Sequence, residues 1–238
     1  MQNYKGNLMS SKSIKKSCLS LLCVLLVLPL SIRLVSFNWC SRQYETFYTS
    51  QENSSVKICN CIDHWIDKKL SRESFKTGSK RFDGEWLFGT YLMSSIAYTQ
   101  TAIQYPELKD QLLPKIRVCL KNLLNEPSYA FDQEAWNESP FTFKNKDHAA
   151  YLGYVNIALG LYHYLLKDSE TIHNDKFVAI NIRISNFLVK RLKSSHPKLL
   201  LTYPNEVYPV DNCAVLAGIS LCDRSQNSSQ RPIIKSYL

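Results

Sequence analysis

Seven glycines in 238 residues leave little room for glycine-dependent chemistry. There is no G-x-x-x-x-G-K-[ST] or G-x-G-x-x-G loop to cradle a phosphate. There is no G-x-S-x-G elbow, so Ser/His/Asp hydrolase chemistry has no footing. The eight cysteines form no C-x-x-C pairs. Cys59-Asn60-Cys61 is spaced too tightly for a zinc knuckle, and no matching pair with nearby histidines appears; neither a metal nor a cofactor is expected. The formal charge is +9, but the chain lacks a basic block interleaved with aromatics. Lys5, Lys12, Lys15 and Lys16 precede a hydrophobic segment and the other basic residues are scattered, so nucleic acid is not expected as a partner.

The one long hydrophobic run is uncharged from Cys18 to Ile32. No small-x-small cleavage site follows it, and Phe37-Asn38-Trp39-Cys40 is not a lipoprotein box. Residues 1–36 therefore read as an uncleaved signal-anchor, with Arg33 snorkelling and Trp39 at the interface. The basic N-terminus stays in the cytoplasm and the rest is exported. Cleavage and secretion form the alternative.

Residues 37–56 read as a polar stalk. Residues 57–238 read as one all-α domain. Its first helix, 57–70, is amphipathic, with Ile58, Ile62, Trp65, Ile66 and Leu70 on one face, and a basic loop follows over 71–82. In an exported domain Cys40 is placed to bridge to Cys59 or Cys61, while Cys119, Cys213 and Cys222 read as core. Asn53, Asn137 and Asn227 each open an N-x-S sequon.

A repeat organises what remains. Asp83, Asp147 and Asp211 are spaced 64 residues apart, and each precedes an apolar helical stretch. Five positions after each stands a large residue (Phe88, Leu152, Leu216), and six after stands a small one (Gly89, Gly153, Ala217). The small residues predict close approach of neighbouring helix backbones. An amphipathic outer helix follows each of the first two, over about 108–124 and 172–194. Loops are expected over 126–146 and 195–210. The same count starts a third outer helix near residue 236.

Alternating buried and amphipathic helices resemble α/α-toroid proteins, namely the six-hairpin glycosidases, the polysaccharide lyases and the linalool dehydratase-isomerase type. The resemblance covers residues 57–238 and rests on pattern. It implies inner helices in a ring inside outer ones. Rings in those families have five to seven hairpins against about two and a half here. An incomplete ring is therefore expected, completed by a second copy or a partner chain, or else a fragment.

The resemblance also implies that the loops before the inner helices open on one cleft. Around it would stand Asp83, Glu85 and Trp86, then Asp147 and His148, then the Tyr203–Asn212 stretch. Asp211 is the lead candidate for acid/base work, with Asp83 or Glu85 opposite and His148 as a partner. Trp86, Tyr203 and Tyr208 offer flat faces to a sugar or lipid-like ligand, and Asp147, Glu206 and Asn212 offer polar contacts. Glu134, Trp136, Glu138 and Phe141 are placed to line a rim. For Asp83 and Asp147 the plain alternative is helix capping. A non-catalytic binding or scaffold protein is the alternative for the whole.

Overall fold

The structure is a computed structural model that describes residues 11–49, 51–196 and 198–226. Among them all regular structure is helical, apart from one isolated bridge between Tyr203 and Glu206. The chain divides into two compact units, residues 1–54 and 55–238. The position expected for a third outer helix and the Asn227 sequon lie outside the described residues.

The first unit is dominated by helix α1 (Ser11–Thr49). Its stretch Leu21–Glu45 has mean hydropathy 2.1, and none of its most apolar window is buried in protein. At a rise of about 1.5 Å per residue it spans ~38 Å, enough to cross a membrane as an anchor or to serve as a signal sequence. The polar residues expected as a stalk are helical: 41–49 continue α1 and 51–56 open the next helix.

Helix α2 (Gln51–Ile66) leads into the second unit, and of the face that periodicity picks out over 57–70, Ile62, Ile66 and Leu70 pack against the core. Cys59 is buried with Ile62 and Ile66 packed beside it, while Ile58 and Trp65 are exposed. Asp63 accepts from the Tyr98 hydroxyl at 2.6 Å and pairs with Lys115 Nζ at 2.6 Å. The buried Cys59 thiol sits against Thr101 Oγ1, and Cys40, Cys59 and Cys61 are each free thiols. Cys119 and Cys222 are core as expected, whereas Cys213 is exposed.

The array is built from α3 (Lys80–Gln104), α4 (Lys109–Leu123), α6 (Ala149–Leu165), α7 (Lys176–Ser194) and α8 (Pro209–Gln226), with α5 (Glu126–Trp136) beside it. Residue pairing gives the directions. Gly153 meets Val215, Asn156 meets Gly218 and Gly160 meets Leu221, so α6 and α8 run parallel. Asp147–Arg191, Asn156–Ser185 and His163–Asn181 make α7 antiparallel to α6. Tyr151 to the Leu123 carbonyl and Arg117 to Tyr162 do the same for α4. Thus α6 is flanked by α3 and α8, with α4 and α7 on its outer side. The outer helices bury the stripes that periodicity assigns, Leu112, Ile116, Leu120 and Leu123 in α4 and Phe177, Ile184, Leu188 and Leu192 in α7. Helix α7 starts at residue 176 because Asp175 caps it, accepting from the Phe177 and Val178 amides.

The α6–α8 seam is held close by glycine. A Cβ at Gly160 would lie 2.8 Å from Leu221 Cβ, and one at Gly218 would lie 2.8 Å from Asn156 Cβ. The close partner on α8 is therefore Gly218, not Ala217, which is exposed along with Cys213 and Arg224. Gly89 meets nothing within 4 Å, so the small residue of α3 faces open space.

Helix α5 occupies part of the expected loop. Asn125, Glu126 and Pro127 start it, with the proline in the first turn where no amide donor is needed. Its Phe131 joins Phe88 and Tyr151 in an aromatic cluster, each pair adding about 0.5–1.5 kcal/mol beyond burial.

Candidate functional site

None of the three repeat aspartates caps its helix. Ser79 caps α3, accepting from the Phe82 amide, and His148 occupies the cap of α6. The helix starts drift relative to the aspartates, so each carboxylate meets a different surrounding. Asp83 accepts from the Thr77 amide at 2.7 Å and the Thr77 hydroxyl at 2.8 Å. Those bonds hold its carboxyl below the usual range. It pins the turn before α3 and does not line the cleft. Asp147 is buried. It pairs with Arg191 Nε at 2.6 Å and accepts from the Leu201 amide at 2.9 Å, tying α7 and the strap of residues 200–208 to the start of α6. Asp211 reaches a cavity wall.

That cavity measures about 340 Å³ and lies where the N-terminal halves of α3, α6 and α8 meet. Glu85 of α3, Tyr154 of α6, Tyr203 and Tyr208 of the strap and Asp211 of α8 supply its polar wall. Phe88, Leu92, Met93 and Phe131 supply the apolar one. A neighbouring groove of about 500 Å³ runs along α3 over Trp86, Gly89 and Thr90, and shares Glu85 and Met93 with the cavity.

The strap is shaped by its prolines. Pro204 and Asn205 (φ 66°) take the central positions of a tight turn in which the Glu206 amide donates to the Tyr203 carbonyl at 3.0 Å. Thr202 Oγ1 accepts from the Tyr208 amide. The Asn212 side chain accepts from the Leu200 amide and donates to the Leu200 and Tyr208 carbonyls. This commitment removes Asn212 from ligand contact, although the sequence proposes one.

Three phenol–carboxylate pairs result: Tyr203 to Glu85 at 2.7 Å, Tyr208 to Glu206 at 2.7 Å and Tyr154 to Asp211 at 3.1 Å. Burial, then Asp211, pushes Tyr154 up to about 12. Burial and Glu85 raise Tyr203, and the bond to Glu206 raises Tyr208. All three remain protonated donors at neutral pH. Arg81 stacks 3.6 Å from the centre of the Tyr203 ring, and its Nε lies 3.6 Å from Glu85.

His148 is held elsewhere. It is buried with a left-handed backbone (φ 50°), and its Nδ1 lies 2.6 Å from Asp132 Oδ2. Asp132 is fully buried, and burial raises its carboxyl against the opposing pull of His148. Neither residue lines the cavity. Glu134 pairs with Arg72 at 2.6 Å and lines a shallow cavity beside Tyr203 and Glu206, whereas Trp136 is buried beside His148, Glu138 accepts from Thr142, and Phe141 packs on Tyr129 and Tyr151.

The structure thus gathers Glu85, Tyr203, Tyr208 and Asp211, with Trp86 and Glu206 at the margins, and leaves out Asp83, Asp147, His148 and Asn212. Sequence reasoning missed Tyr154, Thr202, Phe131 and Arg81. None of the four carries a sequence signal of its own; the fold brings them to the cleft. Comparison with family models, curated proteins and solved structures finds no match, so these residues are assigned from the chain's own geometry.

Proposed function

We propose that this chain is a membrane-anchored, exported domain of toroid-like helical hairpins whose cleft binds a polyhydroxylated ligand, with carbohydrate as the leading class. One observation carries the reading. Glu85 and Asp211, far apart in sequence, line a single cavity together with three tyrosines. Carboxylates accept from ligand hydroxyls, the phenol oxygens, whose protons already go to Glu85, Glu206 and Asp211, accept from them as well, and the aromatic faces of Trp86 and Tyr208 stack on an apolar sugar face. In an enzyme, the same two carboxylates are the acid/base pair, Asp211 acting from α8 and Glu85 from α3.

The test uses the full chain in detergent against a panel of neutral and charged oligosaccharides, reading both binding and product. Wild type, Asp211→Asn and Glu85→Gln are compared. An enzyme keeps binding in Asp211→Asn and loses turnover. A binding module shows no turnover in any form and weaker binding in both variants. Absence of binding across the panel would sink the reading.

A further inference from the structure

We propose that the ligand of this cleft carries a positive charge, in the form of an amine-bearing polyol of the hexosamine type. The inference rests on the cleft being the ligand site and deepens it by charge.

Glu85 and Asp211 line the cavity, and no Lys, Arg or His lines either it or the groove along α3. The two carboxylates differ in their surroundings. Glu85 is partly exposed and has Arg81 behind it at 3.6 Å. Asp211 is only 7 % exposed, accepts from the Tyr154 hydroxyl, and has no salt bridge among the described residues. A phenol supplies a dipole and no charge. The first turn of α8 favours a carboxylate at Asp211 through the helix dipole, but no side-chain cation neutralises its full charge, and a cationic ligand would supply that partner. A neutral ligand would strip Asp211 of its remaining water and return only hydroxyl contacts. An anionic sugar would add repulsion. A protonated amine forms a charge-assisted bond with Asp211 and lies against the faces of Tyr154 and Tyr208, where cations are attracted. The contrast with the rest of the molecule sharpens the argument: a chain of net charge +9 presents acid alone along these walls.

The experiment is titration calorimetry on the full chain in detergent with two probes, a glucosamine trimer and its fully N-acetylated counterpart. The pH is set between the carboxylate and amine pKa values. N-acetylation removes the charge and keeps the ring hydroxyls. The expected result is at least about a tenfold loss of affinity on acetylation, the worth of one charge-assisted contact. Asp211→Asn erases that difference, and Glu107→Gln on the exposed surface leaves it intact. Wild-type affinity for the amine trimer falls with added salt, and affinity for the acetylated trimer does not; this arm needs no variant, so a misfolded Asp211→Asn leaves the test standing. Equal or tighter binding of the acetylated trimer overturns the charge inference and keeps the cleft as a carbohydrate site. Failure of both trimers to bind overturns the inference together with the reading beneath it.

Discussion

Gly153 and Gly89 hold the same place in the 64-residue repeat, and the fold uses them in opposite ways. On α6, a Cβ at Gly153 would stand 3.0 Å from Val215 Cγ2 and 3.1 Å from the Val215 backbone nitrogen, so the position belongs to a helix seam. On α3 the equivalent Cβ would meet nothing, and the position belongs to the wall of a groove with Trp86 and Met93. A repeat therefore specifies where space is left between helices without specifying what fills it. Between α6 and α8 another backbone fills it. Along α3 it stays open beside Glu85, and this is where a ligand has access.

The largest effect is expected at the seam. Gly218→Ala forces a methyl group against Asn156 Cβ at 2.8 Å and its backbone carbon at 3.1 Å. Backbone cannot yield cheaply, so a loss of about 2–3 kcal/mol is expected in chemical denaturation. Asp147→Ala comes next. It strands Arg191 and the Leu201 amide at the junction of α6, α7 and the strap, for about 2 kcal/mol. Because the strap carries Tyr203 and Tyr208, ligand affinity should fall in the same variant. Gly89→Ala should be neutral or stabilising by up to about 1 kcal/mol, since alanine favours helix and nothing is displaced. A destabilised Gly89→Ala would mean that α3 is packed like α6, and the comparison would fail.

The smallest expected effect is a pH dependence. The folded-state carboxyl of Asp83 is depressed by its bonds from Thr77. Its contribution is present above the unfolded value, about 3.9, and is lost as pH falls through the lower folded value. Thermal melts of wild type and Asp83→Asn should differ at neutral pH and converge in acid. Divergence that grows on acidification would contradict the assignment.

The helices were legible in the sequence for a physical reason. The outer helices α4 and α7 have one wet face and one dry face, so their 3.6-residue period is written in Leu112, Ile116 and Leu120 and in Ile184, Leu188 and Leu192. The pairing of α3 with α6 and of α6 with α8 follows the repeat closely, with Phe88 on Tyr151, Gly153 on Val215 and Gly160 on Leu221. The roles of the aspartates were not legible, because capping depends on where the first turn closes. Ser79 and His148 closed those turns and left Asp83 and Asp147 to bind Thr77 and Arg191. Helix α5 was hidden because its inward residues, Phe131 and Asp132, take their meaning from Tyr151 and His148 in another element. The cleft was half legible: the Tyr203–Asp211 stretch announced itself by composition, whereas Tyr154 and Arg81 became visible only when α6 and α3 were brought beside it.

The central claim is that residues on α3 and α8 share one ligand site, and Trp86 offers a direct reading of it. Glucosamine trimer is titrated into the full chain while tryptophan emission is followed in wild type, Trp86→Phe and Asp211→Asn. A saturable change that vanishes in Trp86→Phe, and that moves to about tenfold higher concentration in Asp211→Asn, is the predicted result: a reporter on α3 sensing a substitution on α8. A change that persists in Trp86→Phe, or a midpoint that Asp211→Asn leaves in place, would contradict a shared site.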